Sequence, residues 1–343
     1  MLLKPLVQIA KFFSCISKEY PPISSCTLPT RVQDKLDNHN VTNDIIILEE
    51  FEVYEKLKKR KLKNNSVPGD IPTKLKKEFL PEFTNPITQI FNLITSTGSY
   101  PRQWVTEYVT PIPKVKPPET EEDLRNISLT ADLSKDFENL LAKWLMPFIE
   151  KRIDPGEFGG LTDHSIVHYM ITLLNFILSS TDSSTTPKAV MVALIDFSKA
   201  FNRINHAKVI TRLSDWGVSG WLLRTLVSYL TDRSMILRHK GVESVRHHMP
   251  GGSPQGALLC VLLYLVYVSD LGMDLPSNSE PEASMWTTDL ISVPSPTPPA
   301  VTESEARLKF IDDLSLAECV TLDSQLCPGQ VSLAPDSFMM EMS

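Results

Sequence analysis

Apolar residues recur every three or four positions along much of the chain, and this spacing predicts amphipathic helices. The predicted helices are residues 45–63, 79–95, 136–153, 168–178, 207–213 and 221–230. In the third of these, six large apolar side chains share one face, and Pro147 is expected to kink the helix. A further segment, residues 257–268, is apolar at all twelve positions, which is too short to span a bilayer and is typical of a buried helix.

Strands are predicted where β-branched and apolar residues alternate or run together. Residues 107–113 alternate and end in proline, and residues 189–197 form a nearly continuous apolar strand that carries Asp196 at its end. Residues 308–317 are typical of a hairpin with an Asp-Asp pair at its turn. The sequence therefore predicts helices and strands together, with carboxylates at two strand ends.

In three stretches of the chain, apolar residues do not recur at a regular spacing. Residues 1–45 mix proline, serine and polar residues, and we interpret them as an extension of uncertain order. Residues 249–256, here called the glycine turn, read MPGGSPQG, which is typical of a tight turn. Residues 276–300 contain six prolines and five serines, which is typical of a flexible insertion.

Charge is distributed unevenly along the chain. The 343 residues carry a formal net charge of −7, which argues weakly against a protein that coats nucleic acid by bulk charge. However, residues 56–77 hold nine basic residues and one acidic residue, whereas residues 270–343 hold thirteen acidic and two basic residues. The total is an average over regions of opposite sign, so it says little about any one surface.

The cysteines and the N-terminal residues bear on the compartment. Five scattered cysteines without a C-x-x-C exclude a zinc ribbon and a dense disulfide framework, and they indicate a reducing environment. Residues 1–16 lack a compact apolar region followed by a small-residue cleavage site, so no signal peptide is predicted. The sequence indicates an intracellular protein, nuclear or cytoplasmic, without a membrane partner.

The carboxylates of Asp196, Asp312 and Asp313 are candidate metal ligands. A charge at the end of a buried strand is costly unless it meets a cation or a donor. If the two strands are neighbours, three carboxylates make an oxygen site for paired Mg²⁺, which activates a hydroxyl and stabilises a leaving phosphate. The alternative is that each aspartate is a helix cap or a solvated turn residue, which is the commoner role of an isolated Asp.

Five motifs, in order, resemble the reverse transcriptases of non-LTR (LINE-like) retrotransposons. They are VPGDIP at 67–72; PIPK at 111–114 with LRNISL at 124–129 and LSK at 133–135; LIDFSKAF at 194–201 followed by Asn205-His206; PQG at 254–256 before an apolar helix; and FIDD at 310–313. Order and spacing agree with that family over roughly residues 50–320. One such motif is weak, whereas five in order are specific.

The resemblance implies catalytic and metal-binding roles. Asp196, Asp312 and Asp313 would be the catalytic carboxylates that hold two Mg²⁺ ions, or Mn²⁺ in their place, with Asp196 and Asp312 as the stronger metal ligands. The main-chain carbonyl of Phe197 would complete the metal site nearer the nucleotide. Phe201 would lie under the incoming sugar and reject a 2′-OH.

The resemblance also implies residues that bind the nucleotide. Gln255 would contact the incoming nucleotide, and Arg125 and Lys114 would hold its triphosphate through charge-assisted contacts. Without the resemblance, Phe201 would be interpreted as a core aromatic residue, Gln255 as an ordinary turn amide and the two cations as solvated charges.

The basic run Lys58, Lys59, Arg60 and Lys61 is a candidate contact for the template backbone. The alternative is a solvated helix face, which is the more common reason for a run of charges.

Several positions depart from the family pattern. Asn126 stands where the family usually has proline, and Asn202 replaces an aspartate that is common after Ala-Phe. Cys260-Val261 replaces the usual Gly-Pro, and the insertion at 276–305 lengthens the path to the last motif. None of these departures removes a catalytic carboxylate.

The resemblance implies an α+β fold: the fingers and palm of a right-hand polymerase, with an antiparallel palm sheet backed by helices. The expected regions are an N-terminal extension (1–45), fingers (46–188), palm (189–320) including the insertion at 276–305, and a tail (321–343). About thirty residues follow Asp313, so the thumb is expected to be largely absent.

The implied activity is RNA-directed DNA polymerisation by a truncated retroelement product, in which an RNA template, a DNA primer and deoxynucleoside triphosphates are the partners. One alternative is a catalytically inactive remnant that binds nucleic acid or protein. Another is a metal-dependent nuclease, which does not account for Phe201, Gln255 or Arg125. The sequence leaves the oligomeric state undefined.

Overall fold

The computed structural model describes most of the chain as far as residue 295. The described residues are 3–18, 20–24, 26–37, 45–61, 67–68, 70–153, 157, 159–161, 164–181, 189–196, 199–256, 258–270, 280–285 and 288–295. The chain divides into two compact units, each discontinuous in sequence. The first unit comprises Met1–Ile153 and Lys199–Ser269, and the second comprises Asp154–Ser198 and Asp270–Ser343.

Helices and strands alternate irregularly through both units. The helices are α1 (Leu3–Ser17), α2 (Thr30–Asp37), α3 (Glu50–Lys58), α4 (Thr73–Glu78), α5 (Leu80–Thr97), α6 (Asp132–Ile149), α7 (Ile166–Thr181), α8 (His206–Asp215), α9 (Gly220–Leu230) and α10 (Leu258–Val268). The strands are β1 (Thr106–Pro113), β2 (Leu124–Leu129), β3 (Ala189–Asp196), β4 (Ser234–His239), β5 (Val242–Glu243), β6 (His247–His248), β7 (Glu280–Met285) and β8 (Thr288–Ser295). Within the described part of the chain, no helix combines the length and the apolar character needed to cross a bilayer.

The first unit is built on a sheet with the strand order β2-β1-β4-β5, and β6 also pairs with β4. β1 and β2 are antiparallel, with Val109 opposite Ser128. β1 and β4 are parallel, with Thr106 opposite Ser234, so this sheet is not purely antiparallel. The predicted α+β class is confirmed, whereas the assignment of fingers, palm and thumb stays a prediction.

The N-terminal segment, whose order the sequence leaves open, contributes to the core of this sheet. Leu6, Ala10 and Phe13 follow helical spacing and are buried on one side of α1. They belong to one apolar cluster with Val109 of β1 and Leu237 of β4. Burial of a large apolar side chain contributes about 1.5–3 kcal/mol, so α1 stabilises the sheet that it covers.

Helix α6 packs against α10 and α5. Phe137, Leu141 and Leu145 repeat every four positions and are fully buried, as the amphipathic pattern predicts. The Phe137 ring lies 5.2 Å from the ring of Phe91 in α5. The helix begins earlier than expected, at Asp132, and it continues through Pro147 to Ile149.

The second unit contains an antiparallel sheet in the order β3-β8-β7. Ala189 lies opposite Ser295 and Asp196 lies opposite Thr288, so the whole of β3 is paired. Helix α7 packs against β3 and β7.

The interpretation of residues 276–300 as a flexible insertion is wrong for the two described stretches, which are the strands β7 and β8. Leu290, Ile291 and Val293 are strand-forming residues, and the pairing with β3 outweighs the proline content. The hairpin predicted at residues 308–317 lies outside the described residues.

Candidate functional site

The glycine turn lies against residues 199–206, which contain the end of the LIDFSKAF motif. The main-chain N–H of Gly252 donates to the carbonyl of Ile204 at 2.9 Å. The N–H of Ser253 donates to the carbonyl of Phe201, also at 2.9 Å. Two motifs that are distant in the sequence are therefore joined by main-chain hydrogen bonds.

Gly252 allows this close approach. Its φ is +80°, a backbone conformation that residues with a Cβ rarely adopt. A Cβ at this position would lie 2.8 Å from the carbonyl oxygen of Asn202 and 3.0 Å from its Cα. The glycine thus supplies both the turn and the space for the neighbouring main chain.

His206, the first residue of α8, makes a further hydrogen bond to the glycine turn. Its Nε2 lies 2.6 Å from the carbonyl oxygen of Gly252, and because a carbonyl only accepts, Nε2 carries the proton. Burial lowers the pKa of His206 to about 4, against the opposing effect of this hydrogen bond. The imidazole is therefore neutral at pH 7 and acts as a donor to the turn.

Gln255 is held by both its side chain and its main chain. Its Nε2 donates to Oδ1 of Asn202 at 2.7 Å, and Asn202 is only 8% exposed. Its carbonyl accepts from the N–H of Ser128 in β2 at 3.3 Å. Gln255, which is the predicted nucleotide contact, is therefore hydrogen-bonded to residues 199–206 through its side chain and to the sheet through its main chain.

Phe201 lies in a short 3₁₀ turn, Ala200–Asn202. Its ring is half-buried, with its centroid 5.2 Å from the ring of Tyr264 in α10. Part of the ring thus packs in the core, as a core aromatic residue would, and part remains accessible. This placement accommodates both the predicted contact with a sugar and the packing role.

Lys114 and Arg125 are exposed on the β1–β2 hairpin, where Ile112 lies opposite Arg125. The Nζ of Lys114 donates to the carbonyl of Glu122 at 2.9 Å. The carboxylate of Glu122 in turn lies 3.3 Å from Nζ of Lys199. The hairpin that carries the two predicted phosphate-binding cations is therefore linked to the start of residues 199–206.

A cavity of about 20 Å³ lies beneath the glycine turn, and Glu107, Asn126, Asn202, Arg233 and Gln255 are among the residues that line it. This volume is close to the space that one water molecule needs. Burial raises the pKa of Glu107, and the charge of Arg233 partly offsets that effect. Buried polar side chains, Glu107 and Arg233 among them, therefore lie next to the glycine turn.

The sequence did not predict that Glu107 and Arg233 are buried together at this cavity. Arg233 is almost fully buried, donates to the carbonyl of Tyr229 at 3.2 Å and lies 4.7 Å from the centre of the Tyr229 ring. A signal was present, because Glu107 is a charged residue at the start of a predicted strand, and a charge that such a strand buries is costly unless it is paired.

Comparison with known families identifies the chain. The profile of the family described as "Reverse transcriptase (RNA-dependent DNA polymerase)" matches residues 112–315, more than half of the 343 residues. The chain belongs to the reverse transcriptase family. The matched range includes Phe201 and Gln255, which the structure joins through Asn202, as well as Asp196 and Asp312.

Individual relatives of the chain come from mobile elements of Drosophila melanogaster. The chain is 35% identical over 185 residues to "Probable RNA-directed DNA polymerase from transposon BS", covering 53% of the chain and 20% of that protein. It is 27% identical over 296 residues to "Probable RNA-directed DNA polymerase from transposon X-element", covering 84% of the chain and 31% of that protein. It is 26% identical over 190 residues to "RNA-directed DNA polymerase from mobile element jockey", covering 54% of the chain and 20% of that protein.

The chain therefore spans less than a third of the length of these relatives. The predicted resemblance to reverse transcriptases of LINE-like elements is confirmed.

The structure describes only part of the predicted catalytic centre. Asp196 is the last residue of β3. Asp312, Asp313 and Phe197 lie outside the described residues, so their roles stay predictions. Within the described ranges, no group of three or more His, Cys, Asp or Glu residues could hold a metal ion. The predicted donor set consists of carboxylate oxygens, which is the chemistry that fits Mg²⁺.

The basic run Lys58–Lys61 differs from the prediction at Arg60. Its side chain is 11% exposed and contacts Asp132 at 2.6 Å and Asp136 at 2.5 Å. Its guanidinium thus connects the chain after α3 to α6 and is occupied by protein carboxylates. The predicted contact with nucleic acid stays a prediction for Lys58, Lys59 and Lys61, whose side chains are exposed.

The cluster around Arg60 extends to further buried groups. Lys76 lies 3.2 Å from Asp132 and 3.5 Å from Asp70, and Thr73 donates to Asp132. The main-chain N–H of Asp132 donates to Asp70 at 2.7 Å. Part of the segment that looked like a nucleic-acid surface by composition is therefore an internal ion-pair network.

Proposed function

We propose that this chain is the polymerase region of a retroelement reverse transcriptase, which adds deoxynucleotides to a primer 3′-OH on an RNA template. The observation that carries the proposal is the family match over residues 112–315, a range that contains LRNISL, LIDFSKAF, PQG and FIDD in that order. The direct contact between the Phe201 and PQG motifs supports it, because both are predicted to face the same nucleotide.

Asp196, Asp312 and Asp313 would hold two divalent cations, Mg²⁺ or Mn²⁺. When bound, such a pair activates the primer hydroxyl and stabilises the charge that develops on the leaving phosphate. The task of the chain is to bring the strand that ends at Asp196 close to the FIDD motif.

The remaining roles fall to residues of the first unit. Arg125 and Lys114 present exposed cations on one hairpin, which suits the binding of a triphosphate. Phe201 is only half-buried, which leaves room for contact with a sugar, and its bulk would exclude a 2′-OH. Gln255 contributes an amide whose position is fixed by Asn202 and by β2.

Primer extension on an RNA template tests the proposal. We expect wild type to incorporate deoxynucleotides with Mg²⁺, and Asp196→Asn and Asp312→Asn each to abolish incorporation. Asp215→Asn is a matched control, because Asp215 is a surface residue that pairs with exposed Arg31. Equal incorporation by wild type and the first two variants would overturn the catalytic assignment.

A second candidate is a non-catalytic nucleic-acid-binding remnant. It is favoured by the exposed Lys58, Lys59 and Lys61. It predicts salt-sensitive RNA binding without Mg²⁺-dependent incorporation. Changing these three lysines to glutamate would weaken binding under this hypothesis, and unchanged binding would exclude it.

A further inference from the structure

We propose that Asn202 is a positioning residue that orients the amide of Gln255 toward the incoming nucleotide and thereby contributes to selection of deoxyribose over ribose. This inference rests on the proposed polymerase function and assigns a role to a position where the family commonly has aspartate. Asn202 directly follows Phe201, so one short turn carries both the predicted sugar contact and the partner of Gln255.

Asn202 is fixed on several sides. Its main-chain N–H donates to the carbonyl of Lys199 at 2.8 Å, and its main chain packs against Gly252. Its side chain is buried and accepts from Gln255 at 2.7 Å. A displacement of this side chain would therefore be transmitted to Gln255 and, through the turn, to Phe201.

The chemistry of the two amides explains why the residue type matters. A glutamine amide has one acceptor oxygen and two N–H donors. When Gln255 donates one N–H to Asn202, its Oε1 and its other N–H keep a defined direction for a ligand. Aspartate at 202 can only accept and would enforce this orientation. Asparagine also accepts, but its own N–H₂ allows the reversed pairing in which both amides are flipped.

This reasoning separates the function of the contact from its effect on stability. Gln255 is half-buried and can turn to solvent when its partner is lost, so the fold does not depend on this bond. A nucleotide that needs the amide in one orientation would then bind more weakly. Loss of one uncharged hydrogen bond corresponds to about a tenfold change in an equilibrium.

Single-nucleotide extension provides the test, with deoxy- and ribonucleoside triphosphates compared for four proteins. They are wild type, Asn202→Asp, Asn202→Leu and Asn205→Ala. We expect Asn202→Leu to raise KM for the deoxynucleotide about tenfold, to leave kcat within about twofold and to reduce the preference for deoxyribose. Asn202→Asp, which keeps the acceptor, should retain the wild-type KM and preference.

Asn205→Ala is the matched control for a structural effect. Asn205 has the same side chain three positions further on, and it caps α8 by accepting from the N–H of Lys208 at 3.1 Å. Loss of this cap should lower stability while leaving the sugar preference unchanged. If Asn202→Leu does not fold, Asn202→Ala removes the same amide without added bulk and takes its place.

Unchanged KM and sugar preference in folded Asn202→Leu or Asn202→Ala, which both lack the acceptor, would overturn the inference. Equilibrium binding of a fluorescent deoxynucleotide separates this failure from failure of the polymerase proposal. If wild type binds the nucleotide without incorporating it, the polymerase proposal fails, and an approximately tenfold weaker Kd in Asn202→Leu still supports the positioning role. If wild type neither binds nor incorporates, both proposals fail.

Discussion

The neutral, buried His206 predicts a specific acid sensitivity of the fold. The perturbation is His206→Gln, which keeps an N–H donor near the carbonyl of Gly252 but removes the titrating ring. In wild type, burial lowers the pKa of His206 from 6.5 to about 4. Because the folded protein holds this group neutral, its contribution to stability is present above pH 6.5 and is lost as the pH falls through 4.

The size of the effect follows from that difference in pKa. One pKa unit corresponds to 1.36 kcal/mol, so wild type should lose on the order of 3 kcal/mol more than His206→Gln between about pH 7 and pH 4. The other titrating groups are common to both proteins, so their contributions cancel in the comparison. The charges of Arg233 and His248 act on His206 in the same direction as burial.

Guanidinium chloride unfolding, followed by tryptophan fluorescence, measures the free energy of unfolding of both proteins at several pH values. We expect the two curves of stability against pH to converge or cross as the pH falls from 7 to 4. Curves that stay parallel over this range would refute the reasoning, because they would mean that His206 does not resist protonation in the folded state.

Two further predictions use matched pairs. Gly241→Ala should lower the free energy of unfolding by about 1 kcal/mol, because Gly241 has a φ of +79° but nothing lies within 4 Å of the new Cβ. Gly252→Ala should lower it by at least about 3 kcal/mol, because Gly252 has a similar φ of +80° and its new Cβ would also meet the main chain of Asn202. Equal losses in urea titrations would show that the close approach is not tight. Asp132→Asn should cost about 3–5 kcal/mol because it leaves buried cations poorly compensated, whereas Asp215→Asn in an exposed pair should have little measurable effect. Calorimetry of both variants checks this, and a small loss for Asp132→Asn would contradict a stabilising network.

Local patterns predicted much of the secondary structure. The helices α5, α6, α8, α9 and α10 all fall on predicted segments, because each presents a continuous apolar face over several turns. The family resemblance predicts that Phe201 and Gln255 contact the same nucleotide, but the hydrogen bonds that join their segments come from the structure, since no local pattern brings residues so distant in sequence together.

What the sequence did not reveal depends on tertiary contacts. β4 is a short strand that contains Arg238, and its place is set by parallel pairing with β1. Helix α1 is ordered because its apolar residues pack against the sheet that it covers. Arg60 resembles its exposed neighbours in composition, and only the fold brings Asp132 and Asp136 to it.

The parallel pairing of β1 with β4 also bears on the order in which the chain can fold during synthesis. When residues 1–153 have emerged from a ribosome, β1 and β2 are present, but one edge of β1 still lacks its partner. Residues 154–198, which belong to the other unit, must be made before β4 emerges. Helix α1 is synthesised before β1, yet it packs on a sheet that β4 completes much later. Since unpaired strand edges and late long-range contacts favour aggregation, we expect nascent chains that end before residue 234 to need chaperones, and chains that extend past residue 269 to need them less.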